Sequence, residues 1–334
     1  MFQSAVMSGI TTAALTDAET QRLRTLYSSH RDFGQSYVRV SPSNCLVGGS
    51  YEKHKDRIYN FKLRPEDVFI LAWAKNGTTF TQEIVWCIQN NLDFETAKSI
   101  YPLLRVPFLE FITITEFLTG KEGNFVPFDS IAPINEMPSP RVVKSHLPYC
   151  LLPPSILDEC KVVTCLRNPK DTLVSFYHHE KLIIFHGFLG DFAEFFEMFM
   201  DDMIIYSSYW TYVLDAWRRR EHPNLCLLFF EDMKADLEGS VRKVANFLQK
   251  DFSEDQLKQL AEYVSFKKIK ETSGRVEEAF RQTSYLDPND KQKSFFRKGE
   301  VGDWKNYFTA DMNRRMDERI EKEFAGSGLQ FRYE

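Results

Sequence analysis

The sequence predicts an α/β fold, a single domain with a central parallel sheet flanked by helices. Three short β-rich apolar runs, Val68–Trp73, Lys161–Leu166 and Leu225–Phe230, are each bounded by polar residues, as buried strands are. Each leads straight into a segment with apolar residues at three- and four-residue spacing, the mark of an amphipathic helix. No repeat, low-complexity tract or composition break divides the 334 residues. Strand-loop-helix units in series imply a parallel sheet whose ligands lie beyond the carboxyl ends of the strands.

From the start, MFQSAVMSGITTAALTDAET lacks both a basic leader and a continuous apolar stretch, so residues 1–20 are expected to be a flexible N-terminus and not a secretory signal. One domain is expected over 21–334. After the first strand comes Ala74-Lys75-Asn76-Gly77-Thr78-Thr79, opening the helix TTFTQEIVWCIQNN. A Gly-containing turn at a helix N-terminus exposes backbone N–H groups that favour a phosphate-like anion, and Lys75 adds a charge. It is P-loop-like but not a Walker A loop, where lysine follows the last glycine. The alternative reading is a surface turn capped by Thr78 or Thr79.

Next, Arg141–Pro148 delivers Lys144 and His146 two residues apart, on one face of a strand. Histidine can accept an alcohol proton near neutral pH, and a neighbouring cation stabilises charge built up in transfer. The second helix, starting KDTLVSFYHHEKLIIF, follows Arg167-Asn168-Pro169, where Arg167 can hold a phosphate and Ser175 can reach the same oxygens. Asn168 and Pro169 also read as N-cap and first helical residue. The third strand precedes EDMKADLEGSVRKVANFLQK, read as helix. Arg275–Phe296 reads as a long surface loop, a candidate lid, and Arg297-Lys298-Gly299 as a basic pair beside a glycine.

Composition narrows the function. With 42 Lys+Arg against 47 Asp+Glu the net charge is −5, which argues against a nucleic-acid partner. The longest strictly apolar stretch, Val68 to Ala74, falls far short of the roughly 18–20 residues of a membrane-spanning helix, so no membrane partner and a cytoplasmic location are expected. Six scattered cysteines without a CxxC pair read as buried thiols. No metal is expected, because His178-His179-Glu180 is adjacent and not spaced three or four apart.

Taken together, these segments resemble the cytosolic sulfotransferase family from about Pro65 to Phe331. The family's YPKSGTTW loop, which binds the 5′-phosphosulfate of 3′-phosphoadenosine 5′-phosphosulfate (PAPS, product PAP), looks like Trp73-Ala74-Lys75-Asn76-Gly77-Thr78-Thr79-Phe80. Its KTHLP matches Lys144-Ser145-His146-Leu147-Pro148, and its RNPKD and RKGxxGDWKN match Arg167–Asp171 and Arg297–Asn306 without a change. FFEDMK from Phe229 and Val264-Ser265-Phe266 look like its YEDMK turn and TSF adenosine contact. The resemblance implies Lys75 and Lys144 as catalytic cations, His146 as general base, and Arg167, Ser175, Arg297, Lys298 and Gly299 at the 3′-phosphate. Phe80, Phe230, Ser265 and Phe266 are implied at the adenosine.

Departures are Ala74 for proline, Asn76 for serine, Phe80 for tryptophan and Phe230 for tyrosine. The family's dimer motif KxxxTVxxxE meets Lys305, Thr309, Ala310 and Arg314, losing valine and glutamate, so homodimerisation by that route is not carried over. Asn60–Lys75 and TQEIVWCIQNNLDFETAK resemble an insect branch that includes a retinol dehydratase. The expected reaction is sulfuryl transfer to a hydroxyl of a small, largely apolar acceptor (phenol, steroid-like alcohol, retinoid or xenobiotic) in a pocket walled by some of Phe108, Phe111, Phe117, Phe185 and Phe188. The competing readings are elimination through a sulfated alcohol, a P-loop kinase needing Mg²⁺, and a nucleotide or small-ligand carrier without catalysis.

Overall fold

The computed structural model describes residues 9–28, 36–115, 129–183, 186–271 and 294–334. Its strands are β1 (Thr11–Ala14), β2 (Tyr37–Ser41), β3 (Cys45–Gly48), β4 (Val68–Leu71), β5 (Val142–Ser145), β6 (Lys161–Leu166) and β7 (Leu225–Phe229). The last four form a wholly parallel sheet in the order β5-β4-β6-β7. Every residue of β4 is buried, because helices cover both faces, and side chains alternate between them. Phe69 and Leu71 join the apolar cluster on one face, Val68 and Ile70 that on the other. The chain steps from β4 to β5 on one side and then crosses to β6 on the other. This reversal opens a crevice beyond the carboxyl ends of these three strands.

Leu71 is level with Ser145 on one neighbour and Thr164 on the other, so the loops after β4, β5 and β6 start side by side. The fully buried Arg141–Asp67 pair anchors this arrangement from below. Arg141 Nε donates to Asp67 Oδ1 at 2.8 Å, and its Nη atoms reach the carbonyls of Ile134 and Lys62.

Several elements differ from expectation. Pairing of β4 stops at Leu71, short of Trp73, because Lys75 takes a left-handed φ of 69° and the Trp73 indole turns to donate to the Tyr206 carbonyl at 2.7 Å. Helices follow β4 and β6 as expected, at Thr78–Gln89 and Pro169–Leu182. The third helical stretch is divided into Phe230–Ala235 and Leu237–Phe247, since the Asp236 side chain accepts the Gly239 N–H at 2.8 Å and caps a new helix.

The expectation of a flexible 1–20 is corrected for its described part. Strand β1 pairs antiparallel with β2, which pairs with β3, and Asp17–Leu26 is a helix held by a Thr16–Glu19 capping box that buries Leu23 and Leu26. All six cysteines are free thiols, and all but Cys150 are buried. Among the described residues no helix is long and apolar enough to cross a membrane.

Candidate active site

The loop after β4 is built to present backbone and lysine to an anion. Gly77 has φ 99°, and an added Cβ would lie 3.0 Å from Cys165 Sγ and from the Phe230 ring, so a side chain has neither the conformation nor the room. Gly77 is the N-cap of Thr78–Gln89 with no side-chain cap bond. The alternative of a threonine-capped turn is therefore not what forms. Asn76 turns inward, where its Oδ1 accepts from the Thr172 hydroxyl at 2.9 Å. The departure from serine buttresses the loop against the next helix. Asn76 Nδ2, Thr78 Oγ1 and Arg167 Nε are buried with no hydrogen-bond partner among the described residues. Buried polar atoms are normally satisfied, so the orphans Thr78 Oγ1 and Arg167 Nε, on residues that border the cavity beyond this loop, suit an oxygen-rich anionic ligand.

Arg167, just past β6, reaches the carbonyls of Lys75 (3.5 Å) and Glu300 (3.1 Å), and its guanidinium lies 4.1 Å from the Phe230 ring centroid. Asn168 caps its helix as expected, its Oδ1 accepting the Asp171 N–H at 2.8 Å. Asp171 in turn accepts the N–H groups of Gly302 (2.8 Å) and Trp304 (3.0 Å). That is how Arg297, Lys298 and Gly299, more than a hundred residues on, come to the same cavity. Both cations are paired with Asp303, Lys298 at 2.5 Å. Phe80 stacks on Phe266 (6.3 Å between centroids, 16° between planes) and meets Phe230 edge-on, forming an aromatic cleft. Gly299 packs against Phe266 so closely that a Cβ would fall 2.2 Å from the ring.

At the other end, Lys144 is the last residue but one of β5 and His146 follows the strand. His146 Nδ1 is 2.6 Å from the Ala72 carbonyl; a carbonyl only accepts, so Nδ1 carries the proton and Nε2 a lone pair. Burial above all, then the charges of Lys144 and Lys75, pull this imidazole down to about 3, opposed by the Ala72 bond, so it is neutral at physiological pH. Burial, then Arg167 and Lys144, lowers Lys75 to about 8, and burial lowers Lys144 to about 8 against the pull of Glu110.

Most of these groups line one cavity of about 620 Å³. At its polar end are Lys75, Gly77, Thr78, Thr79, Phe80, Arg167, Ser175, Phe230, Phe266, Arg297, Lys298 and Gly299. Lys144, His146, Phe108 and Phe111 lie with Ile114, Leu182, Ile183, Ile205 and Tyr206 at its apolar end. Not every expected residue is there. Asn76 and Ser265 are outside the lining, and the Ser265 hydroxyl accepts the Lys268 N–H at 3.4 Å. Phe188 is corrected from pocket wall to core, because it packs 5.0 Å from Tyr27 and 5.1 Å from Phe195. Phe117, Phe185 and residues 275–293 of the expected lid lie outside the described residues, while Ser294, Phe295 and Phe296 line the cavity.

Sequence reasoning missed Glu110, Arg105 and Tyr206. Glu110 is fully buried; Oε1 accepts the His146 backbone N–H at 2.6 Å, and burial raises its carboxyl to about 7. Its signal was one acid in the apolar run Val106–Phe111. Arg105 pairs with Glu83 at 2.9 Å, both buried, and faces Trp86 at 4.6 Å. Tyr206 and Phe108 meet the His146 ring edge-on at 5.4 and 5.0 Å.

Comparison with known proteins agrees with this geometry. Residues 65–328 match the model of the sulfotransferase domain. Luciferin sulfotransferase of Photinus pyralis is 34% identical over 90% of this chain and 84% of its own. Human sulfotransferase 1E1 is 33% identical over 92% and 99%. Retinol dehydratase, solved with androsterone and inactive cofactor PAP, superposes with a TM-score of 0.87 at 31% identity over 97% of this chain and 98% of its own. A second structure of it with retinol and PAP gives 0.87 at 32% identity, covering 97% and 99%. A parallel sheet with its cationic cleft at the strand ends, a domain match over most of the length and relatives above 30% identity over nearly all of it lead to one conclusion: this chain belongs to the sulfotransferase family.

Proposed function

We propose that the protein transfers the sulfuryl group of PAPS to a hydroxyl of a small, largely apolar acceptor. One observation carries this reading: Lys75, Lys144 and a neutral His146 share a single cavity with the loop whose buried donors lack partners. Those donors, Lys75, Arg167 and the Arg297–Lys298 pair fit an anionic nucleotide, with Phe80, Phe230 and Phe266 as its aromatic cleft. PAPS supplies the sulfuryl group when bound. His146, held by Ala72 in the tautomer with Nε2 free of a proton, takes the proton of the acceptor hydroxyl there. Lys75 stabilises negative charge on the departing phosphate side, and Lys144 stabilises the acceptor oxygen as it loses its proton. Phe108, Phe111, Ile114, Ile205 and Tyr206 form an apolar wall that excludes water and suits an apolar acceptor.

The test is transfer of labelled sulfate from PAPS to a panel of phenols, sterols and retinoids, with Lys75→Met and His146→Ala alongside. We expect transfer in the wild type and a loss of at least about a hundredfold in each variant. PAPS binding without transfer to any acceptor would favour a carrier, and failure to bind PAPS would remove the reading. The likeness to retinol dehydratase favours a second reading, in which a sulfated allylic alcohol loses sulfate and a proton. A product lighter than the acceptor by one water, with free sulfate, distinguishes it.

A further inference from the structure

His179, Glu180 and His186 are brought together although their spacing in sequence argues against a metal site. The helix Pro169–Leu182 carries the first two, and the third arrives from the segment that follows it. One potential ligand atom of each lies within 4.8 Å of the others. Glu180 is 1% exposed; its Oε1 accepts from His186 Nδ1 at 2.8 Å. Its second oxygen, Oε2, and His179 Nδ1 are buried without a hydrogen-bond partner among the described residues. The Tyr27 hydroxyl also hydrogen-bonds this carboxylate; a carboxylate oxygen and a ring nitrogen still left unsatisfied in a buried place are costly, so the position calls for an electropositive occupant.

We propose that His179, Glu180 and His186 form a binding site for a divalent transition metal of the zinc class in the wall of the cavity. Two imidazoles and one carboxylate, with a further position open to water, are a zinc donor set, whereas calcium and magnesium demand oxygen ligands throughout. The charge of Lys75 acts on the His179 ring. That same charge repels a cation. Lys75, Lys144 and Arg297 all border the cavity, so an anionic nucleotide at the loop after β4 would offset their field and tighten metal binding. This coupling rests on the function proposed above; the site itself does not.

The test is titration of the full chain with Co²⁺, followed by visible absorption, and with Zn²⁺ by calorimetry, each with and without PAP. One Co²⁺ per chain is expected, displaced by Zn²⁺ and bound more tightly when PAP is present. His186→Asn and Glu180→Gln should each weaken binding about tenfold or more, with PAP affinity as the check that the variants are folded. His178→Asn, one position along the helix and bonded to Tyr307 at 2.8 Å, should leave metal affinity unchanged. Absence of a saturable Co²⁺ spectrum, or equal affinity in wild type and both ligand variants, overturns the site. The arm without nucleotide reads the site alone, so a failure of PAP binding would count against the proposed function and the coupling only.

Discussion

Raising the pH from about 7 to 9 should weaken PAP binding through Lys75 and Lys144. In the free protein each lysine is lowered to about 8, mainly by burial. The bound nucleotide's negative charge favours the ammonium form and raises both values well above 9. Bound protein therefore holds protons that free protein releases, so affinity is full below pH 8 and falls as pH rises through it. One lysine of pKa about 8 gives a loss of about tenfold between pH 7 and 9; two give about a hundredfold, or about 2.7 kcal/mol. At pH 8 each is half deprotonated, so binding should take up about one proton in all. Calorimetry in two buffers of different ionisation enthalpy reads both quantities. Lys75→Met should reduce the uptake to about half a proton or less and the loss to about tenfold or less, because removing Lys75 also removes its mutual repulsion with Lys144 and lets that lysine hold its proton more firmly. Affinity constant from pH 7 to 9, with no proton uptake, would refute the reasoning.

Glu110 gives a stability prediction of defined sign. Its carboxyl titrates near 7 in the fold against 4.5 in an unfolded chain, so the native state binds the extra proton and stability falls as pH rises from about 4.5 to 7. Urea denaturation should show Glu110→Gln gaining on the order of 3 kcal/mol relative to wild type between pH 5 and 8; a constant difference would discount the titration. Arg141→Met strands the fully buried Asp67 carboxylate and should cost about 3–5 kcal/mol, much of it recovered by adding Asp67→Leu. Gly299→Ala drives a Cβ into Phe266 at φ 64°, so stability should drop by about 1–3 kcal/mol. PAP affinity should fall with it as the aromatic cleft opens, and unchanged affinity would remove Phe266 from the nucleotide site.

What the sequence determined by itself was local. Continuous apolar runs marked β4, β6 and β7, because burial on both faces demands them in parallel strands, and 3.6-residue periodicity marked the helices after β4 and β6. The cationic loops were legible too, since a helix start needs its cap, glycine and charges within a few residues of one another. Asp17–Leu26 could have been found from Thr16 and Glu19, but a short capping box carries little weight without an apolar run beside it. Tertiary structure alone decided the rest. Whether an aromatic ring lines a cavity or fills a core depends on partners far along the chain: Phe108 meets His146, whereas Phe188 meets Tyr27. The Glu110 carboxyl is raised to about 7 only because it is buried beside the end of β5, where it accepts the His146 N–H, and His186 joins Glu180 only in the folded chain. Local pattern sets which groups a segment can offer; burial and neighbours from distant segments set their charge, tautomer and reach.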